Sequence, residues 1–168
     1  MSTTKCGNEL DVRELVATDL GEINAVVEAA VMGWDKAERV KRLALASCQY
    51  HADDFDHLTF FGAAGDDGKL VGAVCWETAE VVVGSGIVNA LSLHGLYVHP
   101  RAQGHGAGSR LYELAAATAL RCRLDGLFVK AMREAQGFFA RQGMMLLPIQ
   151  DPVRDYPHRY WLDLRDAA

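Results

Sequence analysis

Apolar residues recur along this chain in two rhythms. Alternation, or a short run rich in β-branched and aromatic residues, marks a strand; spacing by three and four marks a helix. Leu10 to Leu15 predicts a first strand. Asp19-x-x-Glu22 then reads as a capping box, followed by Ile23, Val26, Val27 and Ala30 at helical spacing. Gly33-Trp34 breaks that helix, and Asp35-x-x-Glu38 opens a second with Val40, Leu43 and Ala44 on one face. Strands are predicted over Leu58–Ala63 and Leu70–Glu77, joined by the turn signal Gly65-Asp66-Asp67-Gly68. A further strand runs from about Ala90 to Val98. The stripe Leu111, Leu114, Ala115, Thr118 and Cys122 predicts a helix after it. Gly126–Ala131 reads as a strand, and Arg133–Gln142 as a short helix closed by Gly143. Met144–Ile149 and Tyr160–Leu164 complete the pattern as strands. The order is β-α-α-β-β-β-α-β-α-β-β, with no internal repeat or interdomain linker.

A chain of 168 residues, half of them apolar, has the size of one domain and can bury a substantial core. Residues 1–9 are polar and read as a flexible tail. The net charge is −5, which argues against a non-specific nucleic-acid binder, so no nucleic-acid partner is expected. Cys6, Cys48, Cys75 and Cys122 show neither metal-ligand spacing nor a Cys-x-x-Cys pair, which implies reduced thiols, no metal and a cytoplasmic setting. No stretch approaches the ~18 apolar residues of a membrane-spanning helix, so no membrane partner is expected either.

The segment from Leu96 to Leu114 narrows the function most. A β-rich run ends at Pro100, three glycines follow at alternate positions (Gly104, Gly106, Gly108), and a helix begins. Glycines let backbone N–H groups approach an anion, and a helix N-terminus adds about half a positive charge. Together they suit a phosphate or pyrophosphate. A P-loop would need a Lys-Ser/Thr pair that is absent. In a dinucleotide fingerprint the third glycine would fall one residue later.

Gln103-x-x-Gly106-x-Gly108 resembles the pyrophosphate loop of the GCN5-related N-acetyltransferase (GNAT) family, and the element order is similar to that fold over most of the chain. The resemblance is strongest from about Leu91 to Met144; the first ninety residues match in order only. It implies an α+β, three-layer fold with a mixed, mostly antiparallel central sheet flanked by helices. The cofactor it implies is acetyl-CoA. Backbone groups of Leu96, Tyr97 and Val98 would hold the pantetheine arm and thioester carbonyl. Gln103, Gly104, His105, Gly106, Ala107, Gly108 and Ser109 would bind the pyrophosphate. Arg101 and Arg110 either add charge there or are solvated surface residues.

The resemblance also implies acetyl transfer by direct attack of a primary amine, which must lose a proton. Histidine is suited to that work. His94-Gly95-Leu96-Tyr97-Val98-His99 is similar to the strand of arylalkylamine acetyltransferases whose histidine helps deprotonate the amine. Alternation along a strand places His94 on the same face as Leu96. Glu77 is the rival base, on a strand expected beside that of His94. His99 and His105 read as non-catalytic, and no cysteine has a partner base that would make it a nucleophile. Ala135–Met144 resembles the family stretch Ala-x-x-Phe-Tyr-x-x-x-Gly-Phe, with Phe139 where a tyrosine commonly protonates the thiolate and Met132 where asparagine is common. Water, Tyr156 or Tyr160 could fill that role. The aromatic run Asp155–Trp161 is either a wall of the acceptor pocket or an edge strand, and Trp34 and Trp76 are pocket or core. The expected partner is a small-molecule amine or peptide, with homodimers frequent in the family. Two alternatives stay open: a non-catalytic acyl-CoA sensor, favoured by the missing tyrosine and asparagine, and an acetyltransferase of protein N-termini or lysines.

Overall fold

The computed structural model describes residues 10–167; the expected tail at 1–9 and Cys6 lie outside them. Seven strands form one mixed sheet in the order β1-β2-β3-β4-β5-β7-β6. They are β1 Asp11–Leu15, β2 Thr59–Ala64, β3 Leu70–Val83, β4 Gly86–Val98, β5 Gly126–Lys130, β6 Met145–Leu146 and β7 Arg159–Asp163. Every neighbouring pair is antiparallel except β4 and β5. Helices α1 (Leu20–Met32) and α2 (Glu38–Cys48) cover one face. Helices α3 (Ala107–Arg121) and α4 (Gln136–Arg141) cover the other. This is the expected element order and layering.

The apolar stripe expected in α1 is buried, and that of α3 is buried in part. Ile23, Val26, Val27 and Val31 of α1 pack on Phe60, Ala73 and Cys75. Of the stripe expected in α3, Leu111 and Ala115 are buried, Leu114 and Thr118 half-buried, and Cys122 exposed just past the helix end. Tyr112 and Ala119 complete the inward face, which packs on Val74, Leu91, Leu93 and Leu127.

Other expectations are corrected. In α2, Val40 and Leu43 are solvent-exposed. The inward stripe lies one position over, at Lys41, Ala44, Leu45 and Cys48. Lys41 belongs to it because its stem is covered while its ammonium donates to the Met32 carbonyl at the end of α1. The Asp19/Glu22 capping box does not form. Asp19 accepts instead from the Val16 N–H at 2.8 Å and from the Arg13 guanidinium, and Glu22 accepts from the Leu70 N–H on β3. The β3–β4 hairpin is longer than alternation suggested and turns at Gly84. The strand expected over Met144–Ile149 shrinks to Met145–Leu146. β7 is not an edge strand; it lies between β5 and β6.

The register of β3 on β4 carries a further correction. Cys75 faces Gly95 and Trp76 faces Leu93, so His94 is the extra residue of a β-bulge. Leu93 and Leu96 both pack towards α3. His94 and Gly95 both turn to the opposite face, where His94 meets Glu77 and Gly95 faces Tyr50. The alternation that put His94 beside Leu96 fails because the bulge inserts one residue between them.

Candidate active site

β4 and β5 pair only from Ala90↔Gly126 to Leu93↔Val129. Beyond that point β4 is paired on one side only, with β3, and the two parallel strands diverge. Three contiguous hollows open around this splay.

The first, of about 510 Å³, lies between the end of β4, the glycine loop and α4. Leu96, Val98, Ala102 and Phe138 make its apolar wall, and Gln103, Gly104, Gly106, Ala107, Gly108 and Ser109 its polar end. Gly104 and Gly106 have φ of +76° and +86°, which disfavours any other residue. A Cβ at either would project into open space, so the loop leaves room beside its backbone. Gly108 is constrained differently: its Cβ would come 3.3 Å from the Phe138 ring, which lets α3 seat closely. α3 starts at Ala107, and its first-turn N–H groups have no intrahelical acceptor. Gln103 ties the loop to β4 through the Val98 carbonyl at 3.2 Å. Gln142 holds the Ser109 hydroxyl at 3.0 Å. An apolar channel leading to a cradle of free N–H groups fits a pantetheine arm and a pyrophosphate.

Other cations and rings fall elsewhere. Arg101 turns away to Asp67 and lines a separate hollow with His105. Arg110 is exposed beside Glu113. Arg141 of α4, which the sequence did not single out, lines the groove instead; its signal was its place in the last turn of the helix that packs on the loop. His99 is used structurally, Nδ1 accepting from the Arg101 N–H.

The second hollow, also about 510 Å³, is the mouth of the splay and shares Leu96, Val98 and Gln103 with the first. Trp34, Ser47, Cys48, Tyr97, Lys130 and Met132 line it. Of the two tryptophans in question, Trp34 therefore faces the cleft, while Trp76 is buried and stacked on Phe61. Phe139 is buried at its inner end. Burial pushes the Tyr97 hydroxyl well above its ordinary range.

The third hollow, about 460 Å³, continues on the other side of His94 and Lys130, between the β3–β4 hairpin and the segment before β7. His94 and Glu77, the two rival bases, meet there: Nε2 of His94 lies 2.6 Å from Oε1 of Glu77, both side chains partly exposed. The bulge and the flat pairing of Glu77 with Ser92 bring them together. Tyr156 also lines this hollow and donates to the Ala131 carbonyl at 2.9 Å. Tyr160 is buried, 3.4 Å from Gln136 Oε1. Tyr156 and Tyr160 thus both have their hydroxyls directed at protein acceptors.

A mixed sheet splayed beside a glycine-rich loop and helix start is the architecture of an acyl-CoA acyltransferase fold. The sequence profile of the Acetyltransferase (GNAT) family matches residues 24–144, and the chain belongs to that family. No curated protein is matched by sequence. Among solved structures, the PaiA N-acetyltransferase from Thermoplasma acidophilum in complex with coenzyme A is similar, with a TM-score of 0.71 at 14% identity over 92% of this chain and 99% of that one. A GNAT family acetyltransferase from Brucella melitensis with acetyl-CoA matches with a TM-score of 0.62 at 19% identity, over 93% and 88%. AtaT complexed with acetyl-methionyl-tRNAfMet matches with 0.63 at 14%, over 95% and 97%.

These matches correct the expected partners. Besides the tRNA complex, the fold is found in a KacTA–DNA complex and in AtaT bound to the C-terminus of its antitoxin AtaR. An exclusion of nucleic acid based on the net charge of −5 therefore does not stand. Net charge sums the whole surface and says nothing of one face. No helix among the described residues is long and apolar enough to cross a membrane.

Proposed function

We propose that this protein transfers the acetyl group of acetyl-CoA to a primary amine by direct attack. The observation that carries this reading is the position of His94, bonded to Glu77, between the mouth of the splay, which is continuous with the cofactor-sized groove, and the third, polar hollow. Acetyl-CoA would supply an activated acyl group and a thiol leaving group. The N–H groups of Gly104, Gly106, Ala107, Gly108 and Ser109, at the start of α3, would hold its pyrophosphate, and the unpaired edge of β4 from Leu96 to Val98 its pantetheine arm; the His105 N–H is taken by the Ala102 carbonyl.

A carboxylate can only accept, so Nε2 of His94 donates to Glu77, and in the neutral imidazole Nδ1 then carries the lone pair. That arrangement supports His94 as the proton acceptor, with Glu77 orienting the ring as in other histidine–carboxylate pairs. The balance is simple: the amine nitrogen forms the new amide bond, the carbon–sulfur bond breaks, one amine proton passes to His94, and the thiolate is protonated from water. Phe139 cannot supply that last proton, but a thiol with a pKa of about 8.5 is a competent leaving group.

The test is acetyl-CoA-dependent thiol release against amines, amino acids, peptides and aminoacyl-tRNA, the last because the AtaT structure holds an acetylated aminoacyl-tRNA. Turnover on one class that is lost in His94→Ala supports the reading. Acetyl-CoA binding without thiol release on any acceptor would favour the sensor, consistent with the missing tyrosine.

A further inference from the structure

The third hollow has an unbalanced charge. Its lining includes two carboxylates, Glu77 and Asp155, and three cationic side chains, Lys130, Arg154 and Arg159. Both carboxylates are engaged. Glu77 is bonded to His94. Asp155 accepts from Arg159 Nη2 at 2.9 Å and from the backbone N–H groups of Gln150 and Asp151. Arg154 is 86% exposed and reaches only to 3.7 Å from Asp151, outside the hollow.

Lys130 is the cation left over. Among the described residues its ammonium has no ion pair or hydrogen bond. Its cross-strand partner is Arg159. Residues paired in this way hold their side chains side by side on one face, and like charges there repel. Arg159 spends Nη2 on Asp155 and the Pro148 carbonyl, while its Nε is buried with no partner. Of these two adjacent cations only Arg159 has a carboxylate partner, so the pair can take a further anion on the Lys130 side.

The position fixes what that anion belongs to. The last β4–β5 pair is Leu93↔Val129, so His94 and Lys130 are the next residues on either side of the opening, and both line the hollow. Adjacent strands lie about 4.8 Å apart where they pair, and the splay widens from that spacing only one residue earlier. An amine at His94 and an anion at Lys130 thus fit within one acceptor molecule, with Phe128, Val81 and Tyr156 as its apolar wall.

We propose that this pocket selects acceptors carrying an anionic group, a carboxylate or phosphate, a few bonds from the primary amine, and that Lys130 is the specificity-determining residue. The proposal rests on the acetyltransferase reading above, and its test separates the two. Two matched pairs serve as probes: L-leucine with L-leucinamide, and O-phosphoethanolamine with ethanolamine. Each is titrated calorimetrically into the CoA-saturated protein and assayed for acetyl-CoA-dependent thiol release. The anionic member of at least one pair is expected to bind about tenfold or more tightly than its neutral partner, the scale of one charge-assisted contact. Which pair shows it distinguishes carboxylate from phosphate. Lys130→Glu is expected to abolish or reverse that ratio and Lys130→Arg to retain it. Because Lys130 is exposed, both variants should melt like the parent. Equal binding within both pairs, no binding of any probe at millimolar concentration, or a ratio unchanged in Lys130→Glu overturns the proposal. A binding preference without thiol release would instead uphold the pocket and overturn acetyl transfer; thiol release without a preference would do the converse.

Discussion

Gly95 lies so close under Tyr50 that a Cβ at position 95 would stand 2.1 Å from the tyrosine hydroxyl and 2.7 Å from the ring of Tyr97. The glycine is where it is because the bulge at His94 turns two successive residues to the same face, and the second has no room for a side chain. Tyr50 is itself held, accepting from the Cys75 thiol at 3.1 Å and stacking edge-on against Phe60.

Gly95→Ala is therefore expected to destabilise the protein by about 1–3 kcal/mol, the range for overpacking a filled core, and to lower kcat by displacing His94. Tyr50→Phe removes the hydroxyl and leaves the ring carbon at an ordinary 3.4 Å. The double variant should recover part of the loss. Denaturant unfolding of the four proteins measures the coupling, and strictly additive losses would show that the hydroxyl is not the obstacle.

His94→Ala should reduce kcat by about 10²–10⁴-fold, the usual contribution of a general base. Glu77→Gln should cost less, since it disturbs the ring's orientation and not the proton acceptor. The double variant should be no slower than His94→Ala, because residues acting as a unit are not additive. Steady-state kinetics decides this; a Glu77→Gln loss larger than that of His94→Ala would make the carboxylate the base.

Gly106→Ala tests the loop. Holding an L-residue at φ +86° costs about 1–2 kcal/mol. Relaxing that strain would turn N–H groups away from the groove. The expected result is a KM for acetyl-CoA raised about tenfold, with kcat at saturating cofactor little changed. An unaltered KM would remove the loop from cofactor binding.

Asp19 links β1 to the start of α1. The Arg13 guanidinium and then the Val16 N–H hold its carboxyl down to about 2, from an ordinary 3.8. A depressed carboxylate contributes stability above its unfolded value and loses it as pH falls through the folded one. The wild type should therefore lose stability between about pH 4 and pH 2 in part through Asp19. Asp19→Asn should flatten that part of the curve by about 1 kcal/mol, given the solvent screening of a pair whose arginine is half-exposed. Urea melts at several pH values would show it.

Cys75 should be silent in thiol-based assays of the native protein. Burial pushes its thiol up to about 12, against a smaller lowering by Tyr50. The thiolate is the reactive form. Maleimide labelling followed by mass spectrometry should modify Cys75 only after unfolding; labelling of the native state would mean that the Tyr50–Cys75 contact opens.

What the sequence determined by itself is what depends on neighbours in the chain. The stripe of α1 and part of that of α3, the hairpin turn at Gly65–Gly68, the glycine loop between β4 and α3, and the order of eleven strands and helices follow from local periodicity and turn chemistry. Both members of the His94–Glu77 pair were visible too, as residue types, but as competitors. Tertiary structure decided the rest, because each remaining feature is a relation between distant segments. The bulge at His94 exists only in the register of β3 on β4. Lys41 lies inward because α1 ends where its ammonium can reach a carbonyl. The splay that opens the cleft is set by how far β5 follows β4, and Lys130 acquires meaning only beside Arg159. Alternation reports which residues can share a face; pairing between strands far apart in the chain decides which ones do.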